Sequence, residues 1–388
     1  MRLLLLCNYA PDAQQSMLRF GALLHEQWRS RGIEMSVIAP EQSAVARNLM
    51  SLTRGAGTKW LSYLDKYVMF RRRLARTLAQ LPVDGRTVVH VVDHSNAVYV
   101  PQARALASPP WIVTCHDLLA VRGALGEDTD CPASALGEKL QRRIVRGLGE
   151  ASAIVADSTS TLQDVQRLVP ASASQVRRLI LLGLSHPYHA VEAGEARARL
   201  AGLPSVPWDQ PFLVHVGSNL ARKNKAGVLR VFARVAAAWP GNLVFCGAPL
   251  PPDLQAQAAA AGLASRIFAV PSPDNAQLEA IYSRAHALVF PSKCEGFGWP
   301  VIEAHACGCP VVCSDRTSLP EIGGEAALVH ALEDEAGMSE SLLRLTAAPF
   351  RSEVVARGLA NLKRFDTDRM IDAYGEIYEE VLAASASR

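Results

Sequence analysis

The sequence predicts two doubly wound α/β domains in tandem, and three observations lead there. Short apolar runs alternate with longer amphipathic stretches, the pattern of buried parallel strands joined by helices. The runs fall into two sets of six, separated by a proline-rich segment. At 388 residues the chain is also too long for one ordinary core.

In the first half the expected strands are 3–7, 35–38, 87–92, 111–115, 153–155 and 176–182. A helix over 15–32 joins the first two and stops at Gly32. In the second half the strands are 212–216, 241–246, 267–270, 287–290, 310–314 and 327–329. Residues 186–211 carry Pro187, Pro204, Pro207 and Pro211 around an Ala/Arg-rich helix, and read as the interdomain connection. The tail 367–382 places Met370, Ile371, Tyr374, Ile377, Tyr378 and Val381 on one helical face, so it should pack on a domain. The expected domains are 1–190 and 191–365, with 366–388 as a closing helix. Ligands are expected at the carboxyl ends of the strands and in a cleft between the domains.

Composition narrows the function. Hydrophobic residues make up 49% and charged residues 20%, a globular balance, and a net charge of +3 is too small to imply a nucleic-acid binder. Most of the eight cysteines lie in apolar runs, as free thiols do in a reducing compartment. Cys307, Cys309 and Cys313 have C-x-C-x3-C spacing without a second pair, so no metal is expected there. The apolar run at 3–7 is too short for a signal peptide, and nothing approaches the ~20 apolar residues of a bilayer span. A cytoplasmic protein, soluble or peripheral at the inner membrane face, is expected. The loop at 8–15 after the first strand has no glycine, which argues against a simple dinucleotide enzyme.

The chemistry concentrates in 289–310. A buried strand ends at Pro291, a glycine loop follows, and a helix should start near Pro300 and stop at Gly308. Backbone N–H groups of Gly296, Phe297, Gly298 and Trp299 can approach a ligand there, and the helix terminus suits a diphosphate. Glu295 on the loop and Glu303 on the helix can hold hydroxyls at two points of one elongated ligand.

This stretch, P-S-x-x-E-G-F-G-x-P-x-x-E-A-x-A-x-G, resembles the signature of retaining glycosyltransferases of family 4, which have the GT-B fold. The resemblance implies two Rossmann-like domains facing a cleft, with a last helix crossing back to the N-terminal domain. It implies that Glu295 contacts donor sugar hydroxyls, that Gly296 to Trp299 hold sugar and phosphate, and that Glu303 binds the ribose. Residues 215–224 resemble the family's Val-Gly turn followed by a basic pair and Asn. That segment gives Gly217 the close approach, and Arg222 and Lys223 the diphosphate, whose growing charge suits basic groups. Residues 111–118 resemble the segment that carries a histidine facing the donor sugar, which makes His116 the third catalytic candidate beside Glu295 and Lys223. Asp117 is its expected neighbour or orienter and, with Asp93 and His94, an acceptor-side candidate. Residues 156–161, the turn 182–184 and the tail from 365 resemble other family segments. The family's usual Gly-Gly pair in the first loop is missing, with Asp12 to Ser16 in its place.

By that resemblance the chain is a retaining glycosyltransferase of polysaccharide or glycoconjugate synthesis, acting on a glycan or lipid-linked acceptor. Basic side chains replace a metal and no cofactor is needed. The Arg-Lys-Asn form leans toward GDP-mannose as donor. The alternatives are a UDP-sugar donor, a non-transferase GT-B relative such as a nucleotide-sugar epimerase or a phosphorylase, and a non-catalytic nucleotide-sugar binder. Residues 67–76 mix aromatics with Arg71, Arg72, Arg73 and Arg76, which suits an interfacial helix on anionic lipid.

Overall fold

Two six-stranded sheets, all of whose strand pairs are parallel, organise the computed structural model, which describes residues 1–12, 14–43, 62–82, 84–100, 109–203 and 206–386. The chain divides into two compact units, one formed by Met1–Leu181 with the C-terminal residues from Asp368, the other by Leu182–Thr367. Residue 13 of the first loop and Pro204 of the connection lie outside the described residues.

In the first unit the strands are β1 (Arg2–Leu6), β2 (Glu34–Ile38), β3 (Thr87–Val91), β4 (Trp111–Cys115), β5 (Ala153–Ala156) and β6 (Val176–Leu179), in the order β2-β1-β3-β4-β5-β6. Strands β3, β4 and β5 are buried at every position, because helices cover both faces of a parallel sheet and leave no face for polar alternation. The helices are α1 (Gln15–Ser30), α2 (Phe70–Ala79), α3 (Leu119–Ala124), α4 (Ala135–Glu150) and α5 (Thr159–Leu168). Beyond α1, Gly32 takes φ +72°, the left-handed conformation that ends a helix and that glycine adopts without a Cβ clash.

In the second unit α6 (Ala193–Leu200) precedes β7 (Phe212–Gly217), α7 (Lys225–Ala236), β8 (Asn242–Gly247), α8 (Pro252–Ala260), β9 (Ile267–Val270), α9 (Asn275–Arg284) and β10 (Ala287–Phe290). Then come α10 (Trp299–Ala306), β11 (Val311–Ser314), α11 (Leu319–Gly323), β12 (Leu328–His330), α12 (Glu335–Arg344) and α13 (Ala348–Asn361). The order β12-β11-β10-β7-β8-β9 is that of a doubly wound dinucleotide-type sheet, whose winding reverses between β7 and β10. In the first unit the reversal lies between β1 and β3.

The last helix, α14 (Thr367–Ala386), belongs to the first unit. Met370, Ile371, Tyr374, Ile377, Tyr378 and Val381 are its buried residues, the six read from the spacing. Its tyrosines reach the sheet: His90 of β3 bonds Tyr378 Oη through Nδ1 (2.8 Å) and Thr114 through Nε2 (2.8 Å), and Thr114 bonds Tyr374 Oη (2.9 Å). The division between units falls at Leu181, earlier than the boundary at 190. The reason is that Tyr188 and His189 are already held in the second unit, by Tyr188 Oη to Asn275 (3.2 Å) and His189 N to Glu279 (2.9 Å).

All eight cysteines are free thiols. Burial pushes Cys246, Cys309 and Cys313 up to about 12, so these act as small core side chains.

Candidate active site

The second unit builds its site where the winding of its sheet reverses. β7 ends at Gly217, and a short 3-10 turn, Ala221–Lys223, follows. Asn224 then takes φ +51°, caps α7 through Gly227 N (3.1 Å) and donates to Pro291 O beyond β10 (3.0 Å). That anchor holds the basic pair against the glycine loop. Arg222 Nη1 donates to Glu295 Oε2 (2.8 Å) and to the Cys294 carbonyl (3.0 Å), while Lys223 Nζ donates to Glu295 Oε1 (2.6 Å). Glu295 is buried. Burial pushes its carboxyl up, but Lys223 and Arg222 outweigh that and hold it below the usual carboxylate range. So one ionised carboxylate is shared by two cations.

Thr317 and Ser318 fix the loop itself. Glu295 N donates to Thr317 Oγ1 (2.9 Å), and Ser318 Oγ donates to the carbonyls of Glu295 (3.1 Å) and Phe297 (2.8 Å). Gly298, at φ +107°, makes the turn into α10, where Pro300 lies in the first turn as the sequence reading expected. Phe297 is buried with its ring against Trp299 (5.3 Å) and Phe365 (5.9 Å), and Gly296 and Trp299 are half-buried. Glu303, within α10, is buried and accepts from Tyr282 Oη (3.1 Å). It is therefore no solvated helix residue.

His215, on β7, was not singled out by sequence. Its Nδ1 donates to Val289 O (2.9 Å), and burial lowers it to about 4, so it is neutral with Nε2 as an unpartnered acceptor. A Cβ on Gly217 would lie 3.3 Å from that nitrogen and 3.5 Å from the Lys223 stem, which leaves little room for a side chain there.

The first unit gathers its own polar cluster at the carboxyl ends of β1, β3, β4 and β5. His116 follows β4, and its Nδ1 meets Asp157 Oδ2 (2.9 Å) while Nε2 meets Val92 O (2.9 Å). The Val92 carbonyl can only accept, so Nε2 donates, while Nδ1 shares a hydrogen bond with the Asp157 carboxyl, whose own pKa burial raises. Burial works against a charge on the ring, yet the hydrogen bond and charge of Asp157, with Asp93 behind, raise the pKa of His116. Asp117 is not the orienter: its Oδ1 accepts from Leu119 N (3.0 Å) at the start of α3, and Asp157 has the expected role instead. The ring nitrogens of His116 are both occupied within the unit.

Asp93 receives Asn8 Nδ2, Ser95 N (3.1 Å) and Ser95 Oγ (2.6 Å), with His94 Nδ1 3.1 Å away. Burial alone would raise Asp93 and lower His94. Their mutual attraction dominates, keeping Asp93 well below the usual carboxylate range and pushing His94 up to about 9. Asn8, which bridges the reversal between β1 and β3, had no motif to mark it.

The arginine-rich helix separates its faces. Phe70, Leu74 and Leu78 are buried, and Tyr67 packs against the same core, so the aromatics point inward. Leu64, Val68 and Met69 are 42%, 42% and 49% exposed, and Arg72, Arg73 and Arg76 are exposed with them. Arg71 is half-buried, and Arg73 pairs with Glu41 (2.6 Å). Among the described residues no helix is long and apolar enough to cross a membrane.

Comparison with known proteins bears on both units. Residues 22–179 match the glycosyl transferase 4-like domain, and residues 204–346 match glycosyl transferases group 1. The O-antigen chain mannosyltransferase B of Escherichia coli is 44% identical over 110 residues, 27% of this chain and 28% of that protein's length. The D-inositol 3-phosphate glycosyltransferase of Acidothermus cellulolyticus is 28% identical over 316 residues, 75% of this chain and 67% of that protein. The crystal structure of Anabaena HepE in complex with UDP and glucose superposes with a TM-score of 0.73 at 14% identity, covering 98% of this chain and 99% of that one. The fold is thus GT-B, and with a glycosyltransferase family matched in each unit, the chain belongs to the group 1 glycosyltransferases of family 4.

Proposed function

We propose that this glycosyltransferase moves a hexose, mannose from GDP-mannose in the first instance, to a glycan or lipid-linked acceptor with retention of anomeric configuration. The observation that carries the reading is the cluster of Arg222, Lys223 and Glu295 at the carboxyl ends of β7 and β10. An arriving diphosphate competes for both cations, and Glu295, released and ionised, is then free to accept hydrogen bonds from sugar hydroxyls. The bond between the anomeric carbon and the phosphate oxygen breaks, and the acceptor oxygen bonds to the same face of that carbon. The acceptor proton passes to the departing phosphate oxygen, whose charge Arg222 and Lys223 meet. Gly217, the Gly296–Trp299 amides and Glu303 complete the donor site in this proposal.

Asp93 and His94 take the acceptor side, with Asp117 nearby. His116 reaches the sugar only by exchanging the Val92 carbonyl for a sugar hydroxyl. With the diphosphate charge met by side chains, the reaction is expected to proceed in EDTA. The exposed face of Leu64, Val68, Met69, Arg72, Arg73 and Arg76 is proposed to rest on anionic lipid, as a lipid-linked acceptor would require.

The mannosyltransferase relative favours GDP-mannose, and the UDP bound to HepE favours the UDP-sugar alternative. Thermal shift with GDP-mannose, GDP, UDP-glucose and UDP separates them, and NMR of the product reads the anomeric configuration. Stabilisation by none of the four overturns the proposal. An altered sugar without acceptor indicates an epimerase, and binding without turnover on any acceptor indicates a binding protein.

A further inference from the structure

Lys225 is the first residue of α7, which is the wrong end of a helix for a cation, because the backbone N–H groups there already carry partial positive charge. It is also only 5% exposed. Burying an ammonium is unfavourable unless its hydrogen bonds are replaced. Here the replacements are the Ala248 carbonyl (2.6 Å) and Asn219 Oδ1 (2.8 Å), with the Phe245 ring 5.3 Å away. These partners are uncharged, unlike the carboxylate that faces Arg222 and Lys223.

The partners show what the position achieves. Asn219 lies in the loop after β7 and also donates through Nδ2 to Pro249 O, in the loop after β8 (2.9 Å). Lys225 closes the same junction from below, through Asn219 and Ala248. The two strands meet there without room to spare: a Cβ on Gly247, at φ +106°, would lie 2.8 Å from the Gly217 carbonyl. The loop so held carries Arg222 and Lys223, three and two residues before Lys225. A local rule broken twice, by burial and by helix polarity, is a mark of function when the fold has no need of that residue.

We infer that Lys225 is a positioning residue for the nucleotide donor: it ties the loops after β7 and β8 together and adds a positive charge that no carboxylate among the described residues answers. The inference rests on the donor site proposed above. Arg222 and Lys223 spend part of their charge on Glu295, whereas the field of Lys225 is left over for a dianionic diphosphate. Burial lowers its ammonium to about 8. The groups around it include Lys223, Cys246 pushed up to about 12, His215 down to about 4, and Glu295 below the usual carboxylate range. Neither Cys246, His215 nor Glu295 changes charge between pH 7 and 9. Donor affinity is therefore expected to fall as pH rises through about 8, when the ammonium is lost.

The test uses the full chain, calorimetry with GDP-mannose and UDP-glucose at pH 7 and 9, and steady-state kinetics with the donor that binds. Lys225→Met is expected to weaken donor binding about tenfold at pH 7, the worth of a hydrogen-bonded charge, and to abolish the pH dependence. Donor KM should rise while kcat and acceptor KM stay within about twofold, since the residue touches no reacting atom. Asn219→Ala, which keeps the charge and removes half of the tie, should weaken binding by about threefold. If wild-type protein binds neither nucleotide sugar, the donor site itself fails. If it binds one with the same affinity at pH 7 and 9, or Lys225→Met binds it as tightly as wild type, the inference about Lys225 alone is wrong. Should Lys225→Met not fold, Asn219→Ala and the wild-type pH profile still decide.

Discussion

Glu295 holds two cations with one carboxylate, and that stoichiometry separates binding from chemistry. Glu295→Gln keeps the shape but releases Arg222 and Lys223 to a diphosphate. Nucleoside diphosphate binding is expected to hold or tighten, while transfer falls by about 10²-fold or more, because the sugar loses an ionised acceptor. Calorimetry beside an initial-rate assay reads both, and parallel losses in the two would show that Glu295 only organises the loop. His94 supports a prediction on stability. Its pKa is about 9 in the folded chain and about 6.5 unfolded, a raised histidine, so its contribution is complete below pH 6.5 and disappears as pH rises through 9. The span corresponds to roughly 3 kcal/mol at most. Urea midpoints at pH 6.5 and 9.5 should therefore differ less for His94→Gln than for wild type; equal differences would mean that Asp93 does not sense this ring. Residues of this kind divide by how far sequence reveals them. Glu295 lies in one motif and Arg222 and Lys223 in another, 73 and 72 residues away, and only the family resemblance of both segments brings them to one donor. Asp157, Asn8 and Lys225 act through partners 41, 85 and 23 residues away, distances that only folding closes.

Elements were more legible than pairs, for a physical reason. Strands buried on both faces must be continuous apolar runs, so all twelve could be placed from hydrophobicity, with ends shifted by a residue or two in most cases. The exception is β6, which stops at Leu179 where 176–182 was expected, because the chain there leaves the sheet edge for the second unit. The arginine-rich helix was legible in composition but not in direction: Tyr67 and Phe70 looked like membrane contacts and are core residues instead. Its exposed apolar set is Leu64, Val68 and Met69, the last two four residues before Arg72 and Arg73. If this face meets anionic lipid, each arginine contributes about 1 kcal/mol. Replacing Arg72, Arg73 and Arg76 together by Gln should then lower partition onto phosphatidylglycerol vesicles by about 10²-fold and leave the weak binding to neutral vesicles unchanged. Sedimentation that is the same for both proteins removes the membrane from the proposal.

At the scale of the whole molecule, the second unit is inserted into the first, since residues 182–367 lie between the two stretches that build it. The last helix is therefore no appendage. Its six buried side chains complete a core begun some 360 residues earlier, and Tyr374 and Tyr378 satisfy Thr114 and His90 inside the sheet. Six such side chains contribute on the order of 10 kcal/mol, at roughly 1.5–3 kcal/mol each. That is comparable to the entire stability of an ordinary domain, about 5–15 kcal/mol. Deleting the residues after Asp366 should therefore unfold the first unit while leaving the second intact. Limited proteolysis followed by mass spectrometry reads this directly. The truncated chain is expected to be digested through residues 1–181 and protected over 182–366, and to keep its affinity for nucleoside diphosphate. Protection of both units after the deletion would mean that the sheet of the first unit closes its core without α14, and the buried tyrosine–histidine network would then have to be assigned a role other than stability.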